Sequence, residues 1–255
     1  MDYSVLYYLA FFGVGFLASL LNSLAGGGSV FSLPIMIYLG LPPTVANGTN
    51  RVGLVIGNFS SAYNLFKHGH LNLKLLKQLA FPTLVGSLLG VFFVIEMNDK
   101  IFKTILAFAI ALVAIMSGLK KDILGKPPEK PPEKLSLFGF VLFSLTALYG
   151  CIVQVGVGFV QIFALTRYTG EEMIKVNALK NVLTNIFLII SLIALILSGK
   201  VVWDLAIATS LGAVFGGFIS SALQIKKGNK FIEITVRLAT VAVALKMLYD
   251  VFVEF

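Results

Sequence analysis

Gly26-Gly27-Gly28 stands inside apolar sequence that otherwise reads as membrane-spanning helix. Glycine loses more conformational freedom than any other residue on entering a helix, so three in succession favour a break. In hydrocarbon, the N–H and C=O groups freed by a break must find partners. Such a break therefore sits where protein buries it or where it lines a cavity. A short apolar piece follows, then a turn at Gly40-Leu41-Pro42-Pro43, then a helix bearing Asn47, Thr49, Asn50, Arg51 and Asn58. The break is a candidate binding site, and the chain is organised around the stretch from 22 to 58.

Composition supplies the bilayer. Of 255 residues, 58% are hydrophobic and 13% charged, against about 25% charged in an ordinary soluble domain. This predicts an all-α polytopic membrane protein. No hydrophilic run is long enough for a soluble domain. The net charge of +8 is read by position relative to the membrane, and no nucleic-acid partner is expected. A single cysteine, Cys151, excludes an intramolecular disulfide framework. No Lys or Arg precedes Arg51, so no cleaved signal peptide is expected, although Ser23-Leu24-Ala25 resembles a weak cleavage site.

A shift of 130 residues brings Gly26 onto Gly156, Gly28 onto Gly158, Gly40 onto Gly170, Asn47 onto Asn177, Gly69 onto Gly199 and Gly86 onto Gly216. The hydropathy pattern and the polar third helix repeat as well, which indicates a duplication. The expected organisation is a first membrane repeat over 1–119, a Pro/Lys/Glu-rich linker over 120–134 and a second repeat over 135–255. The run from Lys126 to Lys134 cannot continue a helix and reads as exposed and extended. Each half divides into five apolar pieces, near 3–24, 29–39, 44–66, 73–95 and 100–119, then 135–154, 158–168, 172–198, 201–223 and 230–253. The second piece of each half is too short to span alone. If it turns back, each half makes four crossings and the halves are parallel. If it and its glycine break together complete a crossing, each half makes five and the halves are inverted. The inverted arrangement places Lys67, Lys74, Lys77, the linker lysines, Lys226, Lys227 and Lys230 in the cytoplasm. It leaves Glu96, Asp99, Lys100, Lys103 and Lys200 outside. The positive-inside rule favours it, with both termini outside.

Asn47, Arg51 and Asn58 fall within about 40° of one another on a helix. The matching helix carries Asn177, Lys180, Asn181, Thr184 and Asn185. A cation within a spanning segment faces the protein interior or a wet cavity and has a partner. The neighbouring segments carry almost no carboxylates, which points to a bound anion. Helices that begin just after the breaks, near Ser29 and Phe159, aim N–H groups and positive dipole ends at the same place. The candidate substrate-binding set is Arg51, Lys180, Asn47, Asn177, Asn50, Asn181, Asn58 and Thr184, with Gly27, Gly28, Ser29, Gln154, Gly156, Gly158 and Gln161 at the breaks. The structural alternative has Arg51 and Lys180 bonding carbonyls freed by the breaks, with the asparagines bridging helices. Gly86-x-x-x-Gly90 and Gly212-x-x-x-Gly216 are expected to serve close helix packing. His68 and His70 make a poor metal site without an acidic or thiol companion, and no metal or cofactor is expected. No catalytic motif is present, so an enzyme is not expected.

Gly26-Gly27-Gly28, Ser32-Leu33-Pro34, Gly40-Leu41-Pro42-Pro43 and Ala46-Asn47-Gly48-Thr49-Asn50, followed by Gly69-His70-Leu71, resemble the signature of the sulfite exporter TauE/SafE family. The second half is similar to that family's degenerate second copy. The resemblance implies a carrier of small anions in the inner (plasma) membrane, with sulfite, sulfonates and related sulfur compounds as substrates. This chain departs from the family pattern at Asn47 and near Arg51. The reading is a secondary transporter of a small inorganic or organic anion, a sulfur-containing oxyanion, by alternating access, surrounded by lipid, with a homodimer as a further expectation. Coupling to H+ or Na+ is open, and the lack of a carboxylate relay favours a uniporter or an ion site built from carbonyls. An anion channel, a membrane-embedded enzyme and a membrane scaffold are the alternatives.

Overall fold

The apolar pieces become helices α1 (Val5–Ala25), α2 (Gly28–Tyr38), α3 (Pro43–Lys67), α4 (Leu73–Ile95), α5 (Leu137–Ile152), α6 (Val157–Thr169), α7 (Met173–Leu197) and α8 (Trp203–Val253). The structure is a computed structural model that describes residues 4–95, 97–102, 104–105, 128 and 131–253. Most of the expected fifth piece, 100–119, and most of the linker 120–134 lie outside the described residues, as do Glu96 and Lys103. Four of the described helices, α1, α4, α7 and the first part of α8, are long and apolar enough to cross a membrane. α3 has the length, 25 residues, but its polar stripe lowers its hydropathy. The pieces expected at 201–223 and 230–253 run as one helical element, interrupted only where Gly228 leaves helical geometry at φ 71°, ψ −171°.

The offset of 130 is also an offset in backbone conformation. Gly26, Gly40 and Gly69 have positive φ, and so do Gly156, Gly170 and Gly199. The first turn of α3 is capped by Asp99, whose Oδ1 accepts from the Thr44 N–H at 2.9 Å. The first turn of α7 is capped by Asn229, whose Oδ1 accepts from the Ile174 N–H at 3.1 Å. Both donors and both acceptors are 130 residues apart.

Side-chain contacts fix helix directions. Asn22 of α1 donates to Asn58 of α3 at 3.0 Å, and the Ser23 hydroxyl meets that of Ser61. Residue numbers rise together, so α1 and α3 are parallel. Gly212 and Gly216 of α8 lie against the carbonyls of Phe12 and Phe16, so α8 shares that direction. The chain must therefore return between α1 and α3, and α2 makes the return. The Tyr7 hydroxyl, near the start of α1, donates to the Leu39 carbonyl at the end of α2. The second half repeats the device: the Tyr168 hydroxyl at the end of α6 accepts from the Ser136 N–H at the start of α5, at 3.0 Å. α3 and α7 run antiparallel. Arg51 meets Ser191, the Val55 carbonyl accepts from Asn185 at 3.3 Å, and Ser61 accepts from Asn181 at 2.9 Å.

Small residues let these helices approach. A methyl built on Gly86 would fall 1.9 Å from the Ser144 carbonyl oxygen, and one on Gly212 would fall 1.9 Å from that of Phe12. Close helix contact without a hydrophobic driving force is what membrane interfaces require. One end of the bundle joins the α3–α4 loop to the α6–α7 loop through Asn72 and Glu171 at 2.7 Å, and the α8 kink joins there through Asn229 and Glu172. Lys67, Lys74, Lys77, Lys175, Lys226, Lys227 and Lys230 lie on the helix ends gathered there. The opposite end carries Asp99, Lys100 and Lys200.

Candidate functional site

The two breaks touch. α1 ends at Gly26, whose φ of 81° is left-handed and whose N–H returns to the Asn22 carbonyl at 2.8 Å. A methyl on Gly26 would lie 2.4 Å from the Cα of Gly158, and one on Gly158 would lie 2.2 Å from the Cα of Gly26. Only glycine permits this backbone-to-backbone crossing. The second break adds strain, because Gln154 has φ 66° without being glycine. Its Nε2 donates to the hydroxyl of Ser29, in the first turn of α2, at 2.8 Å. The N-caps of α2 and α6, Gly27 and Gly156, offer no side-chain cap. Two buried helix N-termini therefore present N–H groups beside the crossing.

The polar helices bring their cations to the broken ends, each from the opposite half. Arg51 of α3 is fully buried and reaches the end of α5. Its guanidinium donates to the Cys151 carbonyl at 2.7 Å and the Ile152 carbonyl at 3.4 Å. It also donates to the Ser191 hydroxyl and to Asn47 Oδ1 at 3.2 Å. Lys180 of α7 is equally buried and reaches the end of α1. Its Nζ donates to the Asn22 carbonyl at 2.5 Å and the Ser23 carbonyl at 2.9 Å. The last carbonyls of a helix lack intrahelical partners and carry the negative end of its dipole. Each cation thus bonds carbonyls at the end of a broken helix, the geometry of the structural alternative read from the sequence. At the end of α1 the Asn22 carbonyl also accepts from the Gly26 N–H, and the Ser23 carbonyl from Gln224 at 3.4 Å. Among the described side chains, which leave out those of Glu233 and Asp250, no Asp or Glu is buried.

The other expected residues assemble around these two contacts. Asn177 donates to the Leu24 carbonyl at 3.0 Å and to Gln224 Oε1 at 2.9 Å. Asn181 donates to Ser23 and Ser61, and Asn58 accepts from Asn22. Thr184 donates to Gln161 at 2.6 Å. Asn50 is fully buried, and neither atom of its amide has a hydrogen-bond partner among the described residues. The same holds for Oε1 of Gln154 and Oδ1 of Asn177 and Asn181. Unpartnered buried polar atoms on this scale are costly unless something else satisfies them.

Sequence reading missed Ser191, Gln224, Asn22, Ser23 and Ser61 as members of this network. Ser191 lies two turns beyond the polar stripe of α7, and Gln224 is one of several uncharged polar residues spread along α8, a signal too common to single out. A cavity of about 150 Å³ lies between α3 and α7, lined by Phe59, Ala62, Val182, Asn185, Ile186 and Ile189. It is apolar and touches neither cation, so it is not the polar site.

The sequence pattern of one family, sulfite exporter TauE/SafE, matches residues 11–247. A probable membrane transporter protein of Sinorhizobium, ORF9, is 26% identical over 95% of this chain and 93% of its own length. One from Haemophilus influenzae is 25% identical over 98% of both chains. The probable membrane transporter protein YfcA of Escherichia coli is 25% identical over 94% of this chain and 88% of its own. No solved structure matches. The match over nearly the whole chain, on a helical bundle with two glycine breaks in contact, places this membrane protein in the sulfite exporter TauE/SafE family of transporters.

Proposed function

We propose that this chain is a secondary transporter that moves a small sulfur-containing oxyanion, such as sulfite or a sulfonate, across the inner membrane by alternating access. The observation that carries the reading is the pair of fully buried cations with no buried carboxylate among the described side chains. A helix C-terminus offsets only about half a charge. Each cation therefore keeps residual positive charge, and the N-termini of α2 and α6 add to it. An oxyanion completes the balance. Arg51 and Lys180 attract it, while Asn47, Asn177 and the N–H groups near Gly28 and Gly158 orient its oxygens. Unpartnered Asn50 and Gln154 supply further contacts.

The antiparallel course of α3 and α7 supports two inverted halves. The lysine-rich end is then cytoplasmic and both termini lie outside. Rocking of one half against the other about the crossing at Gly26 and Gly158 exposes the site to each side in turn.

One observation favours a second reading. Arg51 donates four hydrogen bonds to protein acceptors, so the cations would act as clamps in a scaffold that binds no anion. Thermal unfolding of the purified protein with sulfite, sulfate, thiosulfate, sulfonates and carboxylates separates the two. A ligand at 100 times its Kd stabilises by about 2.7 kcal/mol. Stabilisation by the sulfur oxyanions, with uptake into proteoliposomes that Arg51→Ala abolishes, is the expected result. An unfolding temperature indifferent to every anion, or wild-type transport by Arg51→Ala, leaves the clamp reading.

A further inference from the structure

We propose that Lys180 is the coupling-proton site of the carrier, so that one proton crosses with each anion as a symport. This rests on the transport reading above and adds its driving ion. Lys180 is fully buried, and its partners are two main-chain carbonyls at the end of α1. Among the described side chains, the elements packed around it bring it only uncharged polar groups. α1 contributes Asn22 and Ser23, and Ser23 is held by Ser61 of α3 and Gln224 of α8. α6 contributes Gln161, bonded to Thr184, and Asn177 and Asn181 are its polar neighbours on α7. The other buried cation, Arg51, and the buried thiol of Cys151 lie at the opposite break, where Arg51 bonds the Cys151 carbonyl.

The hydrogen-bond inventory gives this amine two complete states. A neutral amine has two N–H donors, which match the carbonyls of Asn22 and Ser23. An ammonium has a third N–H, and its charge calls for an anion oxygen. Arg51 offers no such choice, because a guanidinium stays protonated in proteins. Carbonyls at a broken helix end are also where carriers of this architecture seat a coupling cation. Here a tethered amine occupies them. In the cycle, the ammonium binds a monovalent anion to form a neutral pair and the carrier reorients. The anion then leaves and the N–H bond breaks. The proton passes to water on the open side and nitrogen keeps the electron pair. The neutral amine, still bonded to both carbonyls, returns and its nitrogen takes a proton from water on the first side, which restores the ammonium.

The test uses the full-length protein in proteoliposomes, with membrane potential clamped and Na+ absent. Radiolabelled thiosulfate, sulfate and methanesulfonate are the probes, since these anions do not themselves carry the proton at neutral pH. A pH step of about one unit, acid outside, should drive about tenfold accumulation of methanesulfonate. A lumenal dye should report one proton per methanesulfonate ion. Lys180→Arg should remove the pH-driven accumulation and bring the proton-to-anion ratio to zero. Should that variant fail to fold, Lys180→Met is read in the same way, and a wild-type count of zero overturns the proposal by itself. Probe entry without protons, or undiminished proton flux in Lys180→Arg, overturns the proton assignment and leaves the transport reading intact. If no probe enters wild-type vesicles, the transport reading fails and this one with it.

Discussion

The two broken helix ends present the same problem and receive different answers. At the end of α5, Arg51 spreads four hydrogen bonds over α3, α5 and α7. At the end of α1, Lys180 makes two, both to the main chain. The first is a rigid, permanently charged fork, and the second is a compact amine on a flexible stem. The lesson is that a near-symmetric architecture assigns unlike work to its two cations: one fastens three helices, the other holds its break more lightly.

Unequal losses on removal should follow. Arg51→Met orphans two carbonyls and strips a partner from Ser191 and Asn47. At roughly 1–3 kcal/mol for each orphaned buried group, the loss should exceed about 3 kcal/mol. Lys180→Met removes one bond from each of two carbonyls that keep another, Asn22 from the Gly26 N–H at 2.8 Å and Ser23 from Gln224 at 3.4 Å, and should cost less than half as much on the same basis. Denaturant unfolding of the purified variants measures both. Equal losses would break the contrast between the ends.

The crossing itself gives the next largest effect. Gly158→Ala places a methyl against the Gly26 backbone, which cannot yield as a side chain tip would. Overpacking of this kind costs about 1–3 kcal/mol and should impair transport, because the two breaks can no longer meet. Gly40→Ala is the control outside the crossing, since no atom lies within 4 Å of a methyl there. Its cost should be only that of left-handed backbone, about 1 kcal/mol. If both variants melt together, the contact between breaks is unimportant.

Much of this was legible in the sequence because the signals were out of place. Glycine triplets and cations do not belong in oil, so Gly26 to Gly28, Arg51 and Lys180 announced themselves, and the offset of 130 followed from glycine spacing. The cations' partners were less legible. Cys151, Ile152, Asn22 and Ser23 take part through carbonyl oxygens, which every residue has and no sequence pattern marks. Arg51 is 130 residues from Asn181, not from Lys180, so spacing alone could not pair the two cations. The return path of α2 was also open, because 11 apolar residues fit a half-crossing in either direction. The Tyr7 bond to the Leu39 carbonyl depends on two helices already being adjacent.

A smaller effect tests the network around Lys180. Gln224 accepts from Asn177 at 2.9 Å and donates to the Ser23 hydroxyl at 3.2 Å. Gln224→Leu should cost about 1–2 kcal/mol, the net worth of a lost hydrogen bond plus a partly orphaned amide. Ser220→Ala, beside it on α8, loses only a long contact at 3.4 Å and should be close to neutral. A neutral Gln224→Leu would mean that Asn177 holds the end of α1 without help.

The smallest expected effect uses the duplicated helix cap as its own control. Asp99 caps α3 and Asn229 caps α7 through equivalent bonds, one charged and one neutral. The Thr44 hydroxyl and N–H beside it hold the Asp99 carboxyl below the usual carboxylate range, helped by Lys200, while burial opposes. A depressed carboxylate stabilises the fold at neutral pH. That contribution is lost as pH falls through the depressed folded-state value, in the acid range below about 4. Asp99 is exposed, so water screens the interaction and the whole effect should stay below about 1 kcal/mol. Asp99→Asn should abolish this component of acid sensitivity while keeping a cap like that of Asn229, since both residues cap well. Asn229→Asp should create a matching acid sensitivity at α7, diminished by the neighbouring carboxylate of Glu172. The readout is the unfolding midpoint between pH 3 and pH 7 for the two variants. Identical acid profiles for Asp99→Asn and the wild type would show that Asp99 acts at this helix end through its hydrogen bond and not through its charge.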